Sequence, residues 1–165
     1  MSGADAAGLL AVCTQPPWPV RDGYALRVAN LLEALAASWR ITLVAPVEAA
    51  PHGITCVPVR LAGRGLTYPW RFDDTPLRAA VRTALAAHPA ARALVFPGAE
   101  AVWFDGEALP PAVMDMIDCN PLEFWRGALG GRGLRARLHS LAEMPVAVRF
   151  ARRTVQNFSA TVLVG

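Results

Sequence analysis

The chain has 165 residues, enough for one domain with a sizeable buried core. Hydrophobic residues make up 54% and charged residues 18%, so a buried sheet or a partner surface has to absorb the apolar excess. No apolar run nears the ~20 residues a membrane helix needs. The segment Met1 to Asp5 lacks the basic stretch of a secretory leader, so the expected compartment is the cytoplasm. The net charge of +3 is carried by 16 arginines and no lysine, which points to arginine-favouring coding. A nucleic-acid partner is not expected, because that would need basic residues clustered with aromatics. The densest basic region, Arg126 to Arg153, is instead spread through a helical pattern and reads as a solvated or anion-facing surface. Cys13, Cys56 and Cys119 are far apart and odd in number, without CxxC or Cys/His spacing. They are expected to be buried thiols, with no metal and no cofactor.

In chain order, 8–14 predicts a first strand that breaks into the proline-rich loop 15–23. A helix over about 24–38 and a strand over 40–46 follow. Both strands are continuous apolar runs, the signature of strands buried on both faces of a parallel sheet. The helix has a core stripe of Val28, Leu31, Leu32 and Leu35. A third strand is expected over 54–59, and Pro58 places it at an edge or ends it. The next stretch, 60–74, has no period and reads as a surface loop. Thr75 and Pro76 predict a helix start, with Thr75 as the cap, and His88-Pro89 its end. Strands are expected over 92–97 and 112–118, with a loop between them holding a short helical turn at 99–103. Asn120-Pro121 opens a helical stretch interrupted by Gly127, Gly130, Gly131 and Gly133. A long helix over 134–157 follows, broken or kinked at Pro145, with Leu134, Leu138 and Leu141 on one face. The last strand is 160–165.

This alternation predicts an α/β fold: a Rossmann-like, doubly wound, mainly parallel sheet flanked by helices, formed as a single domain over 1–165. Such sheets bind ligands at the carboxyl ends of their strands beside helix N-termini. The loop from Gln15 to Gly23 lies there. It carries no GxGxxG, and the chain has no GxxxxGK[ST] and no GxSxG, which argues against dinucleotide, P-loop and α/β-hydrolase chemistry. It offers Pro16-Pro17-Trp18-Pro19, then Arg21-Asp22-Gly23 and, one turn on, Arg27. Backbone N–H groups and a guanidinium in that spacing can hold an anion. The plainer alternative is that Gly23 caps the helix and Arg27 is solvated. His52, His88 and His139 form no useful cluster with carboxylates. Of Trp18, Trp70, Trp103 and Trp125, two or more are expected to be core or cover.

The stretch Pro17, Pro19, Gly23, Arg27, Asn30-Leu31-Leu32, Leu35-Ala36 and 41–44 resembles the start of GT-B glycosyltransferases of the glycosyltransferase 4 type. Residues 113–118, followed by Phe124-Trp125-Arg126, resemble the VVDxVDxxSxxW stretch of sugar transferases associated with exopolysaccharide and exosortase-type systems. Residues 149–165 resemble that family's passage into its DAxxxVS strand.

The resemblance implies two Rossmann-like domains facing a cleft, with retaining and metal-independent chemistry. This chain covers the N-terminal, acceptor-side half. The chain stops on a strand at Gly165, so the natural protein is expected to continue into a donor-binding domain absent here, and this half is not expected to be active alone. The implied partners are a nucleotide-sugar donor, bound with that missing domain, and a glycan or lipid-linked acceptor in cell-surface polysaccharide synthesis. Peripheral membrane contact through an arginine-rich or tryptophan-bearing surface is compatible with this. Gly23 matches the glycine of the family's first loop, which approaches the donor phosphates, and Arg27 the arginine after it. Asp118 falls near the end of the fifth strand, where many relatives carry a histidine that contacts the reacting sugar; this chain departs there in having Asp, and Asp118 is the candidate catalytic group. Its plainer reading is a loop or cap residue. Asp115, three residues earlier, faces the other way and reads as a buried structural acid. A stand-alone Rossmann-like binding module without catalysis, or part of a nucleotide-sugar epimerase, are the alternatives.

Overall fold

The structure, a computed structural model, describes residues 6–61, 73–97, 104, 107–116, 120–130 and 133–163. Its elements are β1 (Gly8–Cys13), α1 (Gly23–Ala36), β2 (Arg40–Ala45), β3 (Ile54–Pro58), α2 (Thr75–Ala87) and β4 (Arg92–Phe96). They continue as β5 (Ala112–Met116), α3 (Asn120–Gly130), α4 (Leu134–Asn157) and β6 (Ala160–Leu163). The six strands form one sheet in the order β3-β2-β1-β4-β5-β6, and every neighbouring pair is parallel. This is a Rossmann-like doubly wound fold, as the alternation of apolar runs and helical stripes requires.

The apolar strands resolve into two cores by strict alternation. Leu10 and Val12 of β1 face one side with Val95, Met114, α2 and Phe150 of α4. Leu9, Ala11 and Cys13 face the other with Ile41, Leu43 and the α1 residues Val28 and Leu32. A run of six residues can therefore be apolar throughout and leave nothing exposed. Gly8 fits because the chain is crowded there. A Cβ on it would collide with the carbonyl oxygen of Pro89, while its own carbonyl accepts from the Ala91 N–H at 2.8 Å.

β3 is an edge strand ending at Pro58, and the next residue, Val59, still donates to the Ala45 carbonyl of β2 at 3.0 Å, so the missing N–H of Pro58 falls on the open side of the sheet. Several expectations are corrected. The N-cap of α2 is Asp74 rather than Thr75, and Asp73 accepts from the Thr75 N–H at 3.0 Å. Gly127 does not interrupt α3, and α4 runs from Leu134 to Asn157 with Pro145 inside it. The stripe Leu134, Leu138, Leu141 is not packed, being 73%, 56% and 52% exposed, and the core residues of α4 are Ala147, Phe150 and Thr154. The expected helical turn at 99–103, Trp70, Cys119 and Asp118 lie outside the described residues. No described helix is long and apolar enough to cross a membrane.

Candidate functional site

The carboxyl edge of the sheet is where β1 hands the chain to the loop 14–22 and α1. Thr14 donates through Oγ1 to the Pro97 carbonyl, and its N–H donates to the Phe96 carbonyl at 3.2 Å. Tyr24 Oη donates to the same Phe96 carbonyl at 2.9 Å. The ends of β1 and β4, between which the strand order reverses, are thus stitched together by side chains from the loop and from α1. The loop contains a cis peptide between Trp18 and Pro19. Trp18 packs half-buried against the α1-side core and donates from Nε1 to Glu33 at 3.4 Å.

Each sequence-predicted site residue on α1 has a definite task. Asp22 is the N-cap: with extended backbone (φ −152°), its Oδ1 accepts from the Ala25 N–H at 2.8 Å. That first-turn donor is therefore satisfied internally. Gly23 opens the helix without a left-handed backbone, and a Cβ built on it meets no heavy atom within 4 Å. Its lack of a side chain leaves open space in front of the helix. Arg27 is not the solvated residue of the plainer reading. Its Nε and Nη2 donate to Asp115 Oδ2 and Oδ1 at 3.1 and 3.2 Å. The Asp115 side chain is 5% exposed and that of Arg27 38%, so a buried carboxylate is neutralised by a partly exposed guanidinium. The fork geometry fixes α1 against β5 across 88 residues of sequence. Asp115, expected as a buried structural acid, is one, and its partner is the residue singled out for anions. Asp118 is not among the described residues.

Over the ends of β1 and β2, and without Arg27 or Asp115 in its wall, lies a cleft of about 460 Å³. Gln15, Trp18, Arg21, Asp22, Glu48 and Ala49 contribute to its wall. A second cavity, of about 380 Å³, lies at the opposite edge among Gly8, Trp39, Arg40 and His88, away from the strand ends where this fold places ligands. The cleft combines an aromatic face, an amide, a guanidinium and two carboxylates, a set that can stack on one face of a polyol and hydrogen-bond its edges. Sequence reasoning missed Gln15, Arg21 and Glu48 as members of this wall. The one available signal was that the first two share the loop after β1 and Glu48 follows β2, so both loops leave adjacent parallel strands at the same edge.

Comparison of the chain with protein-family models, with curated proteins and with solved structures finds no match.

The thiols supply no chemistry here. Burial pushes Cys13 up to about 12, only partly opposed by a hydrogen bond with Tyr24, and burial also raises Cys56. Neither is a thiolate near neutral pH. Among the described residues, no three His, Cys, Asp or Glu side chains group as metal ligands would.

Proposed function

We propose that this chain is the acceptor-side domain of a GT-B glycosyltransferase, which holds a glycan or lipid-linked acceptor while a sugar is transferred from a nucleotide-sugar donor. The observation that carries the reading is the cleft over β1 and β2, where Trp18 stands among Gln15, Arg21, Asp22 and Glu48. A dinucleotide domain would instead have a glycine-rich turn at this position. The proline-rich loop that stands there instead forms one wall of the groove. The resemblance of Gly23, Arg27 and the sequence 113–118 to the family supports the same assignment. The open space in front of Gly23 gives a donor phosphate access to the N-terminus of α1. Arg27, with its Nε–H and one Nη2 N–H committed to Asp115, has fewer donors left for such an anion. The exposed Arg21 is then the more available cation.

The test is an NMR titration of the chain with oligosaccharides and, separately, with hexose phosphates. Shifts confined to the amides of Gln15, Trp18, Arg21 and Glu48, and abolished by Trp18→Ala, are expected. No shift with any sugar, or shifts confined to the opposite edge around His88, would overturn the reading.

A further inference from the structure

The two helices between β5 and β6 are inside out. They meet closely where a Cβ on Gly127 of α3 would collide with Oγ of Ser140 on α4, and again where Phe124 meets His139 edge-on at 6.5 Å. Six of their large apolar side chains are exposed to solvent. On α3 these are Leu122, Trp125 and Leu129, and on α4 Leu134, Leu138 and Leu141, each set at helical spacing. Exposure is greatest at the tip, with Leu129 at 63% and Leu134 at 73%. Single exposed leucines need no explanation, but six large apolar groups on one hairpin do.

The hairpin also stands clear of the domain. Five-residue strands make a sheet about 17 Å tall, matched by about 11 helical residues. The residues of α4 packed on the core begin at Ala147. The 13 residues before it, Leu134 to Val146, therefore project about 20 Å beyond the sheet. Because α4 leads into the amino end of β6, the projection leaves from the carboxyl edge, the edge that carries the cleft.

Charge selects the occupant. The described residues of α3 and of the projecting part of α4 carry three arginines against two glutamates, and Arg149, Arg152 and Arg153 follow on the core-packed half of α4. One of those glutamates, Glu123, already faces Arg126 at 3.5 Å. Arg126, Arg135 and Arg137 flank the apolar stripes, and the exposed line Leu134–Leu138–Leu141 continues through Pro145 into Arg149 and Arg152. A second copy of this face would bring like charges together, whereas an anionic bilayer meets both features at once. We infer that the α3–α4 hairpin inserts tip-first into the headgroup region of an anionic phospholipid membrane, with Trp125 and the leucines in the acyl boundary and the arginines at the phosphates. The inference stands on the hairpin alone and survives loss of the transferase reading.

Co-sedimentation of the chain with vesicles tests it. Binding is expected to vesicles of equal phosphatidylglycerol and phosphatidylcholine, and not to pure phosphatidylcholine. Each Leu→Ser change at 129, 134 or 138 should weaken partitioning about tenfold. Each Arg→Gln change at 135 or 137 should weaken it about fivefold. Circular-dichroism melts of these exposed-site variants should match the parent. Failure of the parent chain to bind the mixed vesicles, or equal binding to both compositions, overturns the inference without recourse to any variant. So does a concentration-dependent dimer in sedimentation velocity that the serine changes abolish.

Discussion

Replacing Arg27 by Met keeps side-chain bulk at the start of α1 but strips the Asp115 carboxylate of both its charge-assisted hydrogen bonds, at 3.1 and 3.2 Å. Removing one partner of a buried ion pair costs about 3–5 kcal/mol, because the other charge is left in a poorly solvated site. The 38% exposure of the Arg27 side chain lets water reach the orphaned carboxylate, which places this pair at about 3 kcal/mol. For a domain of this size that lowers the melting temperature by about 6–12 °C. The reciprocal change, Asp115→Asn, leaves the charge on the solvent-accessible partner and should cost only about 1 kcal/mol. The double variant then loses much less than the sum of the singles, with a coupling of about 2 kcal/mol. Urea denaturation of the four proteins, followed by circular dichroism, reads these numbers directly. Additivity within about 0.5 kcal/mol, or equal costs for the two single changes, would refute the claim that a buried carboxylate is being neutralised.

Two further outcomes follow from local geometry. Gly8→Ala drives a methyl group into the Pro89 carbonyl, which belongs to backbone and cannot swing aside, so unfolding in urea should show a loss of about 1–3 kcal/mol with the fold retained. Cys13 should resist a thiol reagent at pH 8 in the folded chain and react only as the protein unfolds. Its folded pKa is raised from 9.0 to about 12, so the stability it supports is complete below pH 9 and is lost as the pH rises from 9 towards 12. Labelling of Cys13 at the rate of an exposed thiol would contradict its burial.

How much of this was readable in advance depended on whether an element's partner was local. The two-faced apolar runs of β1 and β2 require a covered parallel sheet whatever the rest of the chain does, and Pro58 narrows β3 to an edge position or a strand end, both of which hold. The role of Arg27 was not readable. Its spacing from Gly23 suggested an anion, while its actual partner lies 88 residues away and enters only once β4 and β5 are placed beside β1. Leu134, Leu138 and Leu141 mislead for the opposite reason. Their periodicity is that of a packed face, but a helix longer than the sheet is tall carries part of its stripe past anything that could cover it. Gly127 read as a helix breaker because glycine weakens a helix by about 1 kcal/mol. The close approach of α4 through Ser140 is the tertiary reason it sits mid-helix.

The stitching at the switch point bears on where a ligand can enter. In a sheet ordered 3-2-1-4-5-6, the crevice between the first and fourth strands is the natural binding position, because the chain leaves these strands to opposite faces. Here three side chains cross that divide: Thr14 to Pro97, Tyr24 to Phe96, and Arg27 to Asp115. Each satisfies a polar group that a ligand would otherwise have to meet, so a ligand seated between β1 and β4 would have to displace bonds already made. The cleft over β1 and β2 carries no such cost. Its polar wall residues Arg21, Asp22 and Glu48 are exposed, and the half-buried Trp18 supplies a surface from which water leaves favourably. Asp22 caps α1 through one carboxylate oxygen. The same residue therefore sets the start of α1 and joins the cleft wall, which couples the geometry of the groove to the helix that Arg27 locks to β5.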